Sequence, residues 1–363
     1  MISLLKKLPK PPINKINWPW TEETDPNIYN LKVEWPKISI VTPSFNQGQF
    51  IEETIRSILL QNYPNLEYII IDGGSTDNTV EVIKKYEPWI TFWVSEADKG
   101  QSDAINKGLK QSTGEIFNWI NSDDCLLPQA LFKVGKAFTD SKTQMFIAGS
   151  HLIDSERNVI RKNYGRPLQS TEALTIALNP INQPSTFFRT MFVKQSKISS
   201  NLHYNMDYEL WVKFFCRYTL KEVCKEKTYI AEYRIHDESK TNLESDRTGI
   251  AFEKAFTSEK ILIFKKLANA LEEEKIEYVL DKLCVTGSDY DFILPDGCKK
   301  DILRLALYLY VYELSRKLLY AKRFAEGVLL SRIIEVENYP TYMQKDVLHV
   351  KRKLKINSFL PWV

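Results

Sequence analysis

The chain has 363 residues, of which 44% are hydrophobic and 26% charged, the composition of a folded protein with one large domain and an appendage, or two domains. A net charge of +3 and a pI near 8.3 are too balanced to argue for a nucleic-acid partner. Five scattered cysteines without CxxC spacing argue against a zinc site or a disulfide framework and for reduced thiols in the cytoplasm, and no apolar run is long enough to span a membrane.

Residues 1–36 are rich in Pro and Trp ("KLPKPPINKINWPWTEETDP") and lack a steady period, which predicts an extended N-terminal arm. The opening "MISLLKKLPKPPINK" has neither the apolar core nor the cleavage site of a secretory signal. "KISIVTP" (37–43) then reads as a β-branched strand, followed by a helix through Ile51, Ile55, Ile58 and Leu59. "LEYIIIDGG" (66–74) is a second strand, with a helix through Val80, Ile83 and Tyr86. "ITFWVSE" (90–96) and "EIFNWIN" (115–121) are the third and fourth, with helices over 103–110 and after Pro128. Strand and helix alternate about every 25 residues, which predicts an α/β fold on a mostly parallel sheet with ligands beyond the C-terminal strand ends.

Polar residues collect at those ends. The first strand ends in Thr42-Pro43-Ser44, and the second in Asp72-Gly73-Gly74-Ser75. The third leads into Glu96-Ala97-Asp98-Lys99-Gly100, with Asp103 a turn later, and the fourth into Asn121-Ser122-Asp123-Asp124. Two adjacent carboxylates repel unless water or a cation attends them, and a strand-end pair suits a hard divalent ion. Asp72, by itself, fits either ligand recognition or plain turn-and-cap chemistry. No GxGxxG or P-loop motif occurs, which argues against the usual dinucleotide and P-loop chemistries.

Further on, strands are expected near "MFIAGSHLI", "STFFR" and "TYIAEYRIH". In "NMDYELWVKFF" (205–215), Leu210, Trp211 and Phe214 share a helix face with Asp207, while Glu209 stands ~200° away. His236 follows a strand and can serve a metal site; His151, His203 and His349 read as structural. A polar stretch at 236–249 reads as a linker to a helical C-terminal subdomain (250–363) without a fixed repeat. Its amphipathic stretch Leu303–Leu319 suits core or homodimer packing. Basic residues near both termini, Lys6, Lys7, Lys10 and Lys15 and then Lys351, Arg352, Lys353 and Lys355, suit solvated ends or peripheral contact with an anionic membrane.

Taken in order, "SIVTPSFNQGQFIEETIRSILLQNYPNLEYIIIDGGSTDNT", "SEADKGQSDAINKGLKQSTGEIFNWINSDD", "QPSTFFR", "MDYELW" and "YRIHDES" resemble glycosyltransferase family 2, over residues 37–245. The resemblance implies a GT-A (Rossmann-like) domain that binds a nucleoside diphosphate sugar, often a UDP-sugar, with Mn2+ or Mg2+, and inverts the anomeric centre. It implies Pro43, Ser44 and Asp72 at the nucleoside, and Asp98, Lys99, Gly100 and Asp103 at the ribose, phosphates or sugar. Asp123 and Asp124 would fill the DxD slot, with Asp124 the direct metal ligand, Asp123 toward the ribose and His236 a further metal contact. Asp207 would be the catalytic base.

Two departures stand out: Ser122 lacks the first carboxylate of that slot, and Met206 replaces the Glu that commonly precedes the base. The implied acceptor is a carbohydrate or lipid-linked hydroxyl, chosen by residues 165–185 and the C-terminal helices. The acidic site leaves two alternatives, a nucleotidyltransferase and a non-catalytic nucleotide-sugar-binding module on the same fold.

Overall fold

The computed structural model describes residues 3–164, 169–179, 181–237, 239, 250–284, 290–295 and 297–357. Most of the expected linker at 236–249, and residues 165–168 and 180 of the expected acceptor stretch, therefore lie outside the described residues. The chain forms two compact units. The first comprises Met1–Arg166, Ile181–Met206 and Lys221–Glu244; the second comprises Pro167–Pro180, Asp207–Leu220 and Ser245–Val363. Two short segments from within 37–245 thus belong with the C-terminal helices.

In the first unit, β1 (Ile38–Ser44), β2 (Leu66–Asp72), β3 (Phe92–Ser95) and β4 (Ile116–Trp119) pair in parallel in the order β3-β2-β1-β4. Helices α1 (Ile51–Leu59), α2 (Thr79–Tyr86) and α3 (Gln101–Gln111) connect them. Ile69, Ile70 and Ile71 of β2 are all buried, as a strand covered on both faces requires. Beyond β4 the chain also forms α4 (Ala130–Phe138), and the sheet becomes mixed. The short β5 (Cys125–Leu126), β6 (Met145–Ile153), β7 (Val159–Tyr164), β8 (Thr186–Arg189) and β9 (Val223–Arg234) extend it in the order β4-β8-β6-β9-β5, with β7 on β6. In that part only β6 and β9 run parallel.

The N-terminal arm is built into this unit. Leu8, Trp18, Tyr29 and Trp35 lie in its main apolar cluster. Tyr29 meets Trp35 and Tyr63 edge-on at centroid distances of 5.3 and 5.5 Å. The fully buried Arg56 of α1 donates to the carbonyls of Pro9 (2.9 Å), Pro19 (3.0 Å) and Trp20 (2.8 Å) and to the Tyr86 hydroxyl (3.0 Å), so the arm supplies most of the acceptors that a buried guanidinium needs.

At the N-terminal end of β2, Glu67 accepts from Lys37 (2.7 Å), Ser39 (2.5 Å) and the Thr113 amide (2.7 Å), tying β1, β2 and the loop before β4. Burial alone would raise its carboxyl, but these donors outweigh burial and hold it down to about 2. A depressed carboxylate contributes stability that is present above its unfolded value and lost as pH falls toward its folded one. Thermal unfolding of the wild type is therefore expected to weaken between about pH 4.5 and 2, and Glu67→Gln to lose roughly 3 kcal/mol at pH 7 but little at pH 2. A pH-independent difference between the two proteins would contradict this.

The second unit holds α5 (Glu172–Leu178), α7 (Met206–Arg217, from Asp207 on) and the helices α8 (Ile250–Ala270), α9 (Glu274–Leu283), α10 (Lys300–Tyr320), α11 (Phe324–Ile333) and α12 (Gln344–Asn357); α6 (Thr190–Ser196) belongs to the first. Leu303, Leu307, Leu314 and Leu318 of α10 are buried, so the amphipathic stretch serves the unit's own core. Phe264 of α8 stacks on Tyr310 of α10 at 3.7 Å. The turns α8–α9 and α10–α11 are alike: Glu272 and Lys322 both take positive φ (62° and 57°), and Glu273 and Arg323 donate back to Ala268 and Leu318. A recurring helical hairpin thus exists that residue identities conceal. No helix among the described residues is long and apolar enough to cross a membrane.

Candidate active site

The C-terminal ends of β1, β2 and β4, with the loop after β3, gather the expected polar residues in the first unit. Pro43 and Ser44 close β1 opposite Ile71 and Asp72 of β2. Both are buried, and the Ser44 hydroxyl has no hydrogen-bond partner among the described residues. Phe45, the next residue, is an aromatic ring left 59% exposed at the rim. Sequence reasoning passed over it, although an aromatic directly beyond a strand end is a readable signal.

Asp72 is fully buried, and its oxygens are spent locally. They accept from the amides of Gly74 (3.2 Å) and Ser75 (2.9 Å) and from the hydroxyls of Ser75 (2.5 Å) and Ser95 (2.6 Å). That arrangement makes Asp72 the organiser of the β2 turn. The carboxylate facing this place is Asp98. Its Oδ1 accepts from the Gly100 amide at 2.7 Å, and a Cβ on Gly73 would stand 2.8 Å from its Oδ2. Asp98 is half-buried, whereas Lys99 is exposed. Gly100 caps α3 at φ 104°, a conformation that favours glycine. Asp103, in the first turn of α3, accepts from the Lys99 amide at 3.1 Å and lies 3.6 Å from Lys107.

The two adjacent aspartates differ sharply. Asp124 is fully buried: its Oδ1 accepts from the Arg234 amide (3.0 Å) and its Oδ2 from Asn121 (3.1 Å). Burial, reinforced by the neighbouring Asp123 charge, pushes its carboxyl well above the usual range. Asp123 keeps 18% of its side chain exposed, and its Oδ2 lies 3.0 Å from His236 Nε2. Its other oxygen takes no hydrogen bond among the described residues. Asp124 thus braces the loop from within, while the partly exposed Asp123 pairs with the buried His236. The ring of Phe50, 4.6 Å from that of His236, supports the imidazole.

Among the described residues there is no cluster of three or more His, Cys, Asp or Glu side chains suited to a metal. What the chain offers a divalent ion is one carboxylate and one imidazole, a donor set that fits Mn2+ or Mg2+ when ligand oxygens and water complete the shell.

In the second unit, Asp207 is half-buried in the first turn of α7, where its Oδ1 accepts from the Tyr208 amide at 2.6 Å. Leu210, Trp211 and Phe214 are buried beneath it, as the helical spacing requires. Glu209 turns away into the unit's interior, where Lys213 (2.8 Å) and the Tyr290 hydroxyl (3.0 Å) hold it.

The family model described as glycosyl transferase family 2 matches residues 39–206. An uncharacterized glycosyltransferase of Rickettsia typhi is 30% identical over 217 residues, covering 57% of this chain and 66% of that relative. The GalNAc(5)-diNAcBac-PP-undecaprenol beta-1,3-glucosyltransferase of Campylobacter jejuni is 28% identical over 187 residues, 50% of this chain and 60% of that protein. The chain therefore spans about two thirds or less of these curated relatives. Among solved structures, S. aureus TarS 1–349 superposes with a TM-score of 0.56 at 16% identity, covering 88% of each chain. The fold is the expected GT-A type, α/β with a helical C-terminal region.

Proposed function

Because the chain belongs to glycosyl transferase family 2, we propose that it moves a sugar from a nucleoside diphosphate sugar to an acceptor hydroxyl, with inversion at the anomeric carbon. The observation that carries this reading is the Asp123–His236 pair at the polar rim of the sheet, 3.0 Å apart and braced by a buried Asp124. A UDP-sugar is the first candidate donor, since the TarS fragment of similar fold has been crystallised with UDP-GlcNAc.

Asp123 and His236 would hold the divalent cation, with Asp124 fixing their loop. Bound there, the ion would neutralise charge building on the departing diphosphate. Phe45 offers a flat face to the base, Pro43 and Ser44 line the nucleoside, and Asp98 is the carboxylate for base or ribose hydroxyls. Lys99, Gly100 and Asp103 shape the approach to the phosphates and donor sugar. Asp207 accepts the acceptor hydroxyl's proton while that oxygen bonds to the anomeric carbon and the carbon–oxygen bond to diphosphate breaks. Such general-base assistance contributes about 10²–10⁴-fold.

Gly73→Ala tests the role given to Asp98, because the added methyl would stand 2.8 Å from its Oδ2 and displace it. A lost hydrogen bond to a charged group is worth about 1.5–3 kcal/mol, so KM for the donor is expected to rise at least tenfold in a folded protein. An unchanged KM would refute the assignment.

The Campylobacter relative is named for an undecaprenol-linked substrate, which makes a lipid-linked or other glycoconjugate acceptor the candidate here. Such an acceptor would bring the protein to the cytoplasmic face of a membrane, where Arg352, Lys353 and Lys355, exposed on α12, can meet anionic headgroups. Flotation with anionic liposomes tests this. A thermal-shift screen of UDP-, GDP- and dTDP-sugars with and without Mn2+ tests the donor. A Mn2+-dependent rise with UDP-sugars is expected, and a response to none of them contradicts the reading.

A further inference from the structure

Arg234, the last residue of β9, has a side chain only 1% exposed, yet it touches every part that fixes the Asp123–His236 pair. Its amide donates to Asp124 Oδ1 (3.0 Å) and its Nε to the Asp123 carbonyl (2.8 Å). One terminal nitrogen reaches the carbonyls of Asp154 and Ser155, both at 3.2 Å. The other donates to Glu53 Oε2 on α1 at 2.6 Å. The guanidinium lies 4.9 Å from the Phe50 ring centroid, and the same ring packs on His236.

Glu53, itself buried, also accepts from Trp20 of the N-terminal arm and from Arg157 (both 3.3 Å), and Arg157 pairs with Glu232 at 2.7 Å. Next to Glu53, Thr54 donates to the carbonyls of Ser122 (2.9 Å) and Asp124 (2.7 Å). Two buried acids and two cations thus balance one another immediately behind the loop, where a hydrophobic filling of similar volume would serve stability equally well. What the ionic version adds is direction. A planar fork with five donors can fix the Asp123 carbonyl, the Asp154–Ser155 turn and α1 at once, and a point charge cannot.

We propose that Arg234 and Glu53 are positioning residues that hold Asp123 and His236 at the separation that receives the cation of the diphosphate. The proposal rests on the reading of Asp123 and His236 as the cation-holding pair. Neither Arg234 nor Glu53 touches the reacting atoms; they act by fixing the loop and the imidazole.

The test is Mn2+ affinity, read by electron paramagnetic resonance of free Mn2+ in the presence of UDP, beside the thermal midpoint. Glu53→Leu with Arg234→Met removes both charges together, which commonly leaves stability near that of the wild type. Loss of a group that orients a metal ligand costs about 10–100-fold in metal affinity, and that loss is expected in the double variant. Arg234→Lys is the second arm: it keeps the charge near Glu53 and loses the fork, so a folded protein with affinity weakened about tenfold is expected. Wild-type Mn2+ affinity in either folded variant would overturn the proposal. Asp123→Ala, run alongside, separates the two levels: if Mn2+ affinity survives in that variant, the reading of the pair fails rather than the role of Arg234 and Glu53.

Discussion

Asp123→Ala is expected to abolish the Mn2+-dependent part of UDP binding, weakening affinity about 10–100-fold in calorimetric titrations, while the same titration in EDTA changes little. The expectation follows from an inequality between two adjacent aspartates. Asp123 Oδ2 faces His236 Nε2 at 3.0 Å, and its side chain reaches solvent. Asp124 is closed on every side and spends its carboxylate on the Arg234 amide and Asn121. Its substitution by Asn should act differently. Removing an acceptor from a buried, hydrogen-bonded pair leaves an amide donor facing a donor, at a cost of about 1–3 kcal/mol in stability. Asp124→Asn should therefore lower the melting temperature first and affinity only as the loop loosens. Full Mn2+-dependent affinity in Asp123→Ala, with its loss in a well-folded Asp124→Asn, would restore the opposite assignment.

Asp207→Asn carries the second large effect. The amide keeps the size of the carboxylate and cannot accept a proton at neutral pH. Donor binding is expected to remain within a few-fold of wild type, while kcat falls about 10²–10⁴-fold. The buried Leu210, Trp211 and Phe214 below the first turn of α7 are untouched by the change, so the helix should stay in place. A variant that transfers sugar at near wild-type rate would dismiss Asp207 as the base. Glu209 is the contrasting case: Lys213 and Tyr290 hold it inside its unit, and Glu209→Gln should cost stability before it costs turnover.

The elements of the first unit were legible because their signals are local. The isoleucine run of β2 and the 3.6-residue spacing of α1 follow from burial on two faces or on one. The polar residues at the strand ends followed in turn. Which of them are free to act was not legible. Asp72 and Asp98 look equivalent in sequence, and only the closed turn at 72–75 shows that Asp72 accepts from the Gly74 and Ser75 amides. Asp123 and Asp124 are likewise indistinguishable until Arg234, 110 positions after Asp124, brings its amide to that carboxylate.

Long-range partners also account for the other surprises. The arm looked aperiodic because its order comes from Arg56 and the aromatic cluster around Tyr29, not from a secondary-structure repeat. The antiparallel half of the sheet pairs strands far apart in sequence, which alternating patterns do not encode. The hairpin turns at Glu272 and Lys322 share backbone geometry without sharing side chains, so no repeat is visible in letters.

The most direct test of the account is chromatographic measurement of nucleoside diphosphate released from UDP-, GDP- and dTDP-sugars by the whole chain, with Mn2+ and with EDTA. The account predicts slow release from a UDP-sugar, dependent on Mn2+ and absent in Asp123→Ala. Release of no nucleoside diphosphate from any of these donors, or equal release in EDTA and in Asp123→Ala, would contradict it.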